Sequence, residues 1–105
     1  MSVLSHAGHT IYAGVRRKLN LTTYEMQIAQ VLCVAEEAGE FVGAFRRWKG
    51  LARRDGSFDD VKHELADVVI AAYTAATSLD IDLDEAINEK LAVVMTRGWK
   101  QETPA

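Results

Sequence analysis

Glu-Glu-Ala-Gly-Glu at residues 36–40 and Glu-Leu-Ala-Asp at residues 64–67 are the two stretches that decide the fold of this 105-residue chain. In both, acids interrupt sequence that is otherwise apolar. Each stretch contains two acids three residues apart, and this spacing puts both side chains on one side of an α-helix. The pattern therefore predicts two helices that each carry a carboxylate pair on a largely apolar face. The pairs are Glu37 with Glu40 and Glu64 with Asp67.

The rest of the sequence also favours helices, because its single proline is Pro104 and its glycines are few. We expect a short first helix over about 9–19, and residues 1–7 and 100–105 are expected to be flexible. Three further helices should begin where a Thr, Ser or Asp N-cap is followed three residues later by an acid. They are expected to run from Thr22 to about Lys49, from Ser57 to about Ser78, and from Asp82 to near Gly98.

Apolar residues at helical spacing should line the inner faces of these helices. Together the elements predict one all-α domain over residues 1–105, a bundle of about four helices. The residues expected to face inward are Ile11, Val15 and Leu19 in the first helix, Val61, Leu65, Val68, Val69 and Ala72 in the third, and Leu83, Ile87, Leu91 and Val94 in the fourth.

The second and third helices are expected to form a central antiparallel hairpin around a turn at Gly50. Glu40 lies 10 residues before Gly50, and Asp67 lies 10 residues after Ser57. Because an α-helix rises about 1.5 Å per residue, these two acids should be roughly level. The two carboxylate pairs are therefore predicted to converge.

Four converging carboxylates near an apolar interior repel one another unless a cation neutralises them. Oxygen ligands without histidine or thiolate favour magnesium, with manganese as a possible substitute. Two alternatives remain open. The acids could be surface groups paired with nearby basic residues, and a di-iron site is the other use of such a pattern, although it wants Glu-x-x-His on two helices. The basic residues in question are Arg46, Arg47, Lys49 and Lys62.

The composition limits the classes of binding partner that we expect. The net charge is −3, from 12 basic and 15 acidic residues, so there is no basic excess of the kind that follows a nucleic-acid backbone. No apolar stretch approaches the roughly 20 residues that span a bilayer, and the first residues do not resemble a signal peptide. We therefore expect a cytoplasmic protein with neither a nucleic-acid nor a membrane partner.

The two acidic stretches resemble the Glu-Glu-x-x-Glu and Glu-x-x-Asp signature of the all-α NTP pyrophosphohydrolases. This superfamily includes MazG, dimeric dUTPases, dCTP pyrophosphatases and phosphoribosyl-ATP pyrophosphohydrolases. The Trp-Lys pair at residues 48–49 and a late helix with Lys90 and Arg97 are similar to the MazG-like members. The resemblance covers roughly residues 20–99.

The resemblance implies hydrolysis of a nucleoside triphosphate between its α- and β-phosphates, giving a monophosphate and pyrophosphate. It implies that Glu36 orients or deprotonates the attacking water. It further implies the following roles: Glu37, Glu40, Glu64 and Asp67 hold magnesium, Lys90 and Arg97 hold the outer phosphates, and Trp48 and Lys49 contact the substrate.

Family members build their sites at subunit contacts, so the resemblance also implies a homodimer or a dimer of dimers. Two other functions remain open. The chain could be a non-catalytic helical module that uses its carboxylates to bind a metal or a partner, or a phosphoribosyl-ATP pyrophosphohydrolase.

Overall fold

In a computed structural model that describes residues 1–97, the chain forms four α-helices. They are α1 (Val3–Leu19), α2 (Thr23–Trp48), α3 (Phe58–Ser78) and α4 (Leu83–Arg97). This described part contains no β-strand, and the prediction of an all-α helical bundle is confirmed. The expected helix end near Gly98 and the expected flexible segment 100–105 lie outside the described residues.

Three of the four predicted helix starts occur at the expected caps. The Thr22 hydroxyl accepts a hydrogen bond from the Glu25 amide at 3.1 Å, and the Thr22 amide donates to the Glu25 carboxylate at 3.0 Å. Ser57 and Asp60 form the equivalent capping box at the start of α3. Asp82 caps α4 through its side chain. Each cap satisfies amides that the first turn of a helix leaves without a partner.

Gly50 ends the hairpin's first helix, as the sequence predicted. Its φ of 73° lies in the left-handed region, which glycine adopts without strain. The Leu51 amide donates to the Arg46 carbonyl at 2.8 Å, and the Gly50 amide donates to the Arg47 carbonyl at 3.1 Å. These two bonds form a Schellman motif, which turns the chain towards α3.

The core lies between α2 and α3, which form the predicted antiparallel hairpin. The residues on the packed face of each helix alternate in steps of three and four, the spacing of a helix–helix seam. Met26 and Ala44 are completely buried, whereas the middle of the seam is polar. We call the following residues the α2–α3 seam: Met26, Gln30, Cys33, Glu37, Glu40, Ala44 and Arg47 on α2, and Val61, Glu64, Val68, Ala71, Ala75 and Ser78 on α3.

The first helix was expected from about residue 9, but α1 already begins at Val3, within the segment expected to be flexible. The reason is a contact between residues far apart in the sequence. The Ser2 amide donates to Asp84 Oδ2 at 3.1 Å, and the Ser2 hydroxyl donates to Asp84 Oδ1 at 2.8 Å. The Tyr73 hydroxyl donates to the same carboxylate at 2.9 Å. These hydrogen bonds lower the pKa of Asp84 and tie the start of α1 to α3 and α4.

Several of the predicted inward faces are not buried by this chain. No residue of α4 is buried, and Ile87 and Leu91 are 43% and 51% exposed. Leu83 and Val94 are half-buried. Ile11 and Leu19 on α1 and Leu65 and Val69 on α3 are also exposed. The spacing did identify helices, but a hairpin with one helix packed on it offers no surface for these faces to pack against.

The helices α1 and α3 come close together at Gly8, the only buried residue of α1. A Cβ on Gly8 would lie 2.7 Å from the Tyr73 carbonyl oxygen and 3.2 Å from the Thr74 amide nitrogen. Both atoms belong to backbone, which cannot move aside cheaply. The absence of a side chain at Gly8 therefore sets the distance between the two helices.

Among the helices described within residues 1–97, none has the length and apolar character that a membrane-spanning helix needs.

We expect Gly8→Ala to lower the free energy of unfolding by about 1–3 kcal/mol, the usual cost of overpacking. Gly14→Ala is the matched control, because nothing lies within 4 Å of a Cβ at Gly14. In the control, alanine should raise stability by about 0.5–1 kcal/mol through its helix propensity. Urea denaturation of both variants measures the difference. Equal stabilities would show that α1 does not depend on this approach.

Candidate metal centre

Three carboxylates meet in the polar middle of the α2–α3 seam. One carboxylate oxygen from each of Glu37, Glu40 and Glu64 lies within 4.8 Å of the other two. Glu37 and Glu40 are neighbours on one face of α2, and Glu64 reaches them from α3. The predicted convergence of acids from the two helices is therefore present for these three residues, which we call the acidic cluster.

Part of the acidic cluster is shielded from water. Glu37 Oε2 and Glu64 Oε2 are both inaccessible to solvent and have no hydrogen-bond partner within the described chain. Leaving a buried carboxylate oxygen without a partner is costly. Glu40 is exposed, so the cluster opens to solvent on its side. The cluster therefore combines two buried oxygens that no described protein group satisfies with one carboxylate that faces solvent.

The electrostatics of the cluster favour protons or another positive charge. Burial raises the pKa of Glu37 above its ordinary value, and the negative charges of Glu40 and Asp67 raise it further. Burial and the same two acids raise the pKa of Glu64, while the positive charge of Arg47 lowers it in part. A divalent cation would relieve this repulsion more fully than one proton, since it carries two charges.

Asp67 and Glu36 lie beside the acidic cluster rather than in it. Asp67 is exposed, and its carboxylate is not among the three that approach within 4.8 Å, although its charge acts on both Glu37 and Glu64. Glu36 is exposed on α2, about 100° around the helix from Glu37. Both side chains are exposed to solvent.

Cys33 lies one helical turn before Glu37 in the seam and is a free, half-buried thiol. Burial raises the pKa of this thiol, and the neighbouring negative charges of Glu37 and Glu36 raise it further. The neutral thiol is therefore the favoured form. Cys33 is not among the residues whose ligand atoms approach within 4.8 Å of one another.

Trp48 and Lys49 stand at the end of α2, within a small aromatic group. The Trp48 ring stacks on Phe58 with centroids 5.0 Å apart, and Phe45 lies 6.2 Å away. The Lys49 ammonium lies 4.5 Å from the Trp48 centroid. The ring is 40% exposed, so it already packs within the chain while keeping an accessible edge.

Lys90 and Arg97 are exposed on α4. This helix packs only slightly against the other three, and its main described contacts are the hydrogen bonds that Asp84 accepts at its first turn. The structure therefore does not bring Lys90 and Arg97 to the acidic cluster of their own chain.

The donor set suits a hard divalent cation. All three cluster ligands are carboxylate oxygens, and two of the oxygens are buried and unpaired. The alternative of acids paired with nearby basic residues does not describe this cluster. The only ion pair within residues 1–97 joins Lys62 to Asp59 on the surface of α3.

The fold and the cluster together define a class: an all-α protein with a carboxylate centre between two antiparallel helices. The chain belongs to the family of MazG nucleotide pyrophosphohydrolase domains, whose family model matches residues 26–97. This match spans both acidic stretches and all of α4. A comparison with curated proteins and one with solved structures gave no match.

We expect Glu64→Gln to raise the free energy of unfolding in metal-free buffer near neutral pH, because it removes one of three repelling charges. Glutamine also ends the pH dependence that Glu64 causes. A pKa raised by folding means that the folded protein binds more protons, so stability falls as pH rises from the ordinary value through the raised one.

Thermal unfolding with and without Mg²⁺ checks the same variant. The parent protein should gain stability from Mg²⁺, since the ion binds the folded state, whereas Glu64→Gln should gain much less. Glu89→Gln, at an exposed position on α4, is the control and should behave like the parent. An equal gain in Glu64→Gln would contradict a metal centre at the cluster.

Proposed function

We propose that this chain is a magnesium-dependent nucleoside triphosphate pyrophosphohydrolase. It hydrolyses the α–β phosphate bond of an NTP or dNTP, giving the monophosphate and pyrophosphate. The observation that carries the proposal is the acidic cluster, with two unpaired buried oxygens, in a chain that belongs to the MazG family. A divalent cation would neutralise such a cluster, and hard cations such as Mg²⁺ also bind the phosphate oxygens of polyphosphates.

Glu37, Glu40 and Glu64 are the proposed ligands for Mg²⁺, with Mn²⁺ as a possible substitute, and Asp67 is the fourth. The exposed side chain of Asp67 would have to turn towards the cluster to serve as a ligand. When bound, the ion supplies neutralisation of phosphate charge and a lowered pKa for coordinated water. The chain itself supplies the oxygens and an opening on the Glu40 side, where a nucleotide can enter.

Glu36 is the proposed general base. It is i, i+4 to Glu40, so its carboxylate can reach the edge of the acidic cluster without being one of the ligands. It is also exposed, and the proton it takes from the attacking water can pass to solvent. Proton acceptance at the Glu36 carboxylate makes the water a better nucleophile towards the phosphorus atom that it attacks.

Contacts to the rest of the nucleotide are assigned to Trp48, Lys49, Lys90 and Arg97. Trp48 and Lys49 lie at the end of α2, where an exposed ring edge and an ammonium can meet a base or a phosphate. Lys90 and Arg97 are proposed to hold the outer phosphates. Because α4 packs so little on its own chain, a second copy of the chain is the proposed route by which these cations reach a cluster.

The proposal is tested with purified protein and a panel of triphosphates that includes all NTPs, dNTPs and phosphoribosyl-ATP. We expect pyrophosphate release that depends on Mg²⁺ and is lost in Glu40→Ala. Activity restricted to phosphoribosyl-ATP would identify that subclass instead. Metal binding without hydrolysis of any compound would favour a non-catalytic module.

Glu36→Gln should lower turnover by about 10²–10⁴-fold, the usual contribution of a general base. Binding of Mg²⁺ and nucleotide should stay close to that of the parent, because glutamine has nearly the same size and Glu36 is not a ligand. Turnover and binding are measured on the same preparation, with Glu89→Gln as the control. Near-parent turnover would reject Glu36 as the base, and lost Mg²⁺ binding would make it a ligand.

Self-association is proposed to be homodimeric, or a dimer of dimers. The exposed apolar residues on α2, α3 and α4 include Leu32, Val69 and Leu91, and such surfaces in soluble proteins usually mark an interface. We expect a dimer or larger species at micromolar concentration in light scattering. Leu91→Glu should shift the protein towards a monomer, whereas a monomeric parent with full activity would remove this proposal.

A further inference from the structure

Arg47 ends the α2 side of the seam, next to the acidic cluster, and the roles above make no use of it. It follows Glu40 by seven residues, which is two turns along the same face of α2. Sequence alone placed it in a basic stretch with Arg46 and Lys49, without distinguishing it from them. The seam register does distinguish it, because Arg46 and Lys49 lie off the packed face and are exposed, whereas Arg47 is half-buried.

Two glycines determine where the Arg47 side chain lies. Its Cβ is 2.9 Å from the position that a Cβ on Gly56 would occupy, so the start of the side chain passes against Gly56. Its Nη1 is 3.2 Å from the position of a Cβ on Gly43. The guanidinium therefore folds back by one helical turn along α2, over Gly43 and in the direction of Glu40. The Gly56 amide also donates to the Arg47 carbonyl at 3.2 Å, which holds the backbone.

The guanidinium faces acids but is not paired with them. Its positive charge reaches Glu64, whose pKa it lowers. Even so, it donates no hydrogen bond to another residue of the described chain, and the one ion pair in residues 1–97 lies elsewhere. A guanidinium offers five N–H donors in a planar fork, and a half-buried one without partners is poised for a ligand.

We propose that Arg47 binds phosphate oxygens of the ligand at the acidic cluster, an inference that rests on the proposed pyrophosphohydrolase function. A polyphosphate is negative, as Arg47 requires, and carries the oxygens that a cation held by the cluster requires. The planar fork matches a phosphate with two parallel hydrogen bonds. Arg47 is thus a phosphate contact supplied by the same chain as the cluster, independent of α4.

The competing explanation is that Arg47 merely offsets the charge of the acidic cluster. The two explanations differ in what they predict for the cation and for the anion. A neighbouring positive charge weakens Mg²⁺ binding, so its removal leaves Mg²⁺ affinity unchanged or tighter in both cases. Only a phosphate contact predicts that anion affinity falls at the same time.

The test titrates the parent and Arg47→Gln with Mg²⁺ alone, and then with inorganic pyrophosphate at saturating Mg²⁺. We expect Arg47→Gln to bind pyrophosphate roughly 10- to 100-fold more weakly, as for loss of a charge-assisted hydrogen bond, with Mg²⁺ affinity unchanged or tighter. Arg53→Gln, at an exposed loop position, makes the same change in net charge and should match the parent. Parent-like pyrophosphate binding by Arg47→Gln overturns the inference, and so does an equal loss in Arg53→Gln.

Gly43→Ala provides a second variant that keeps Arg47 itself. Alanine strengthens a helix, so the fold is retained, while the new Cβ at 3.2 Å from Nη1 shifts the guanidinium by a few tenths of an ångström. We expect pyrophosphate affinity between those of the parent and Arg47→Gln. Gly14→Ala, with nothing within 4 Å of its new Cβ, is the control. If Gly43→Ala and Gly14→Ala both bind pyrophosphate like the parent, the position of the guanidinium over Gly43 does not contribute to phosphate binding.

Turnover separates this inference from the function on which it rests. If the parent hydrolyses triphosphates, Arg47→Gln should raise KM, whereas Glu36→Gln should lower kcat and keep binding. An unchanged KM in Arg47→Gln overturns the inference and leaves the function intact. If the parent hydrolyses none of the panel, the proposed function fails, and the pyrophosphate titration still decides whether Arg47 binds phosphate.

Discussion

Repulsion among Glu37, Glu40 and Glu64 is the constraint on which the rest of the structure depends. A helix–helix seam gains stability from apolar contact, but carboxylates occupy the middle of this seam. Two of them have a buried oxygen without a hydrogen-bond partner. The buried apolar residues of the seam are Met26, Ala71 and Ala75 on one side of the carboxylates and Ala44 with Val61 on the other. The hairpin thus holds charges together that would separate if the helices were free to move apart.

Other parts of the chain compensate for this unfavourable middle. Capping boxes begin α2 and α3, a Schellman motif at Gly50 reverses the chain between them, and α1 packs closely on α3 through Gly8. The carboxylate of Asp84 joins three elements by accepting hydrogen bonds from Ser2 and Tyr73. These interactions hold together a fold in which the acids lie within 4.8 Å of one another.

Sequence predicted those features that depend on neighbours along the chain. Caps at Thr22, Ser57 and Asp82 and the stop at Gly50 follow from local spacing and are present. Of the four acids expected to converge, Glu37, Glu40 and Glu64 do so, whereas Asp67 does not join them. The Ser2–Asp84 contact joins residues 82 positions apart, and no local sequence pattern predicts it. The burial of α4 was also mispredicted, because apolar spacing specifies a face and not the surface that covers it.

The role proposed for Arg47 would explain how a cluster of acids can attract an anion. A site built only from carboxylates repels phosphate, and even a divalent cation leaves a surplus of negative charge when three or four acids surround it. A guanidinium beside the cluster adds a positive charge that can attract an anion. Gly43 and Gly56 make room for it, because glycine has no side chain. The seam of one chain thus carries negative and positive charges next to each other. The acids suit a divalent cation, and the arginine suits a phosphate.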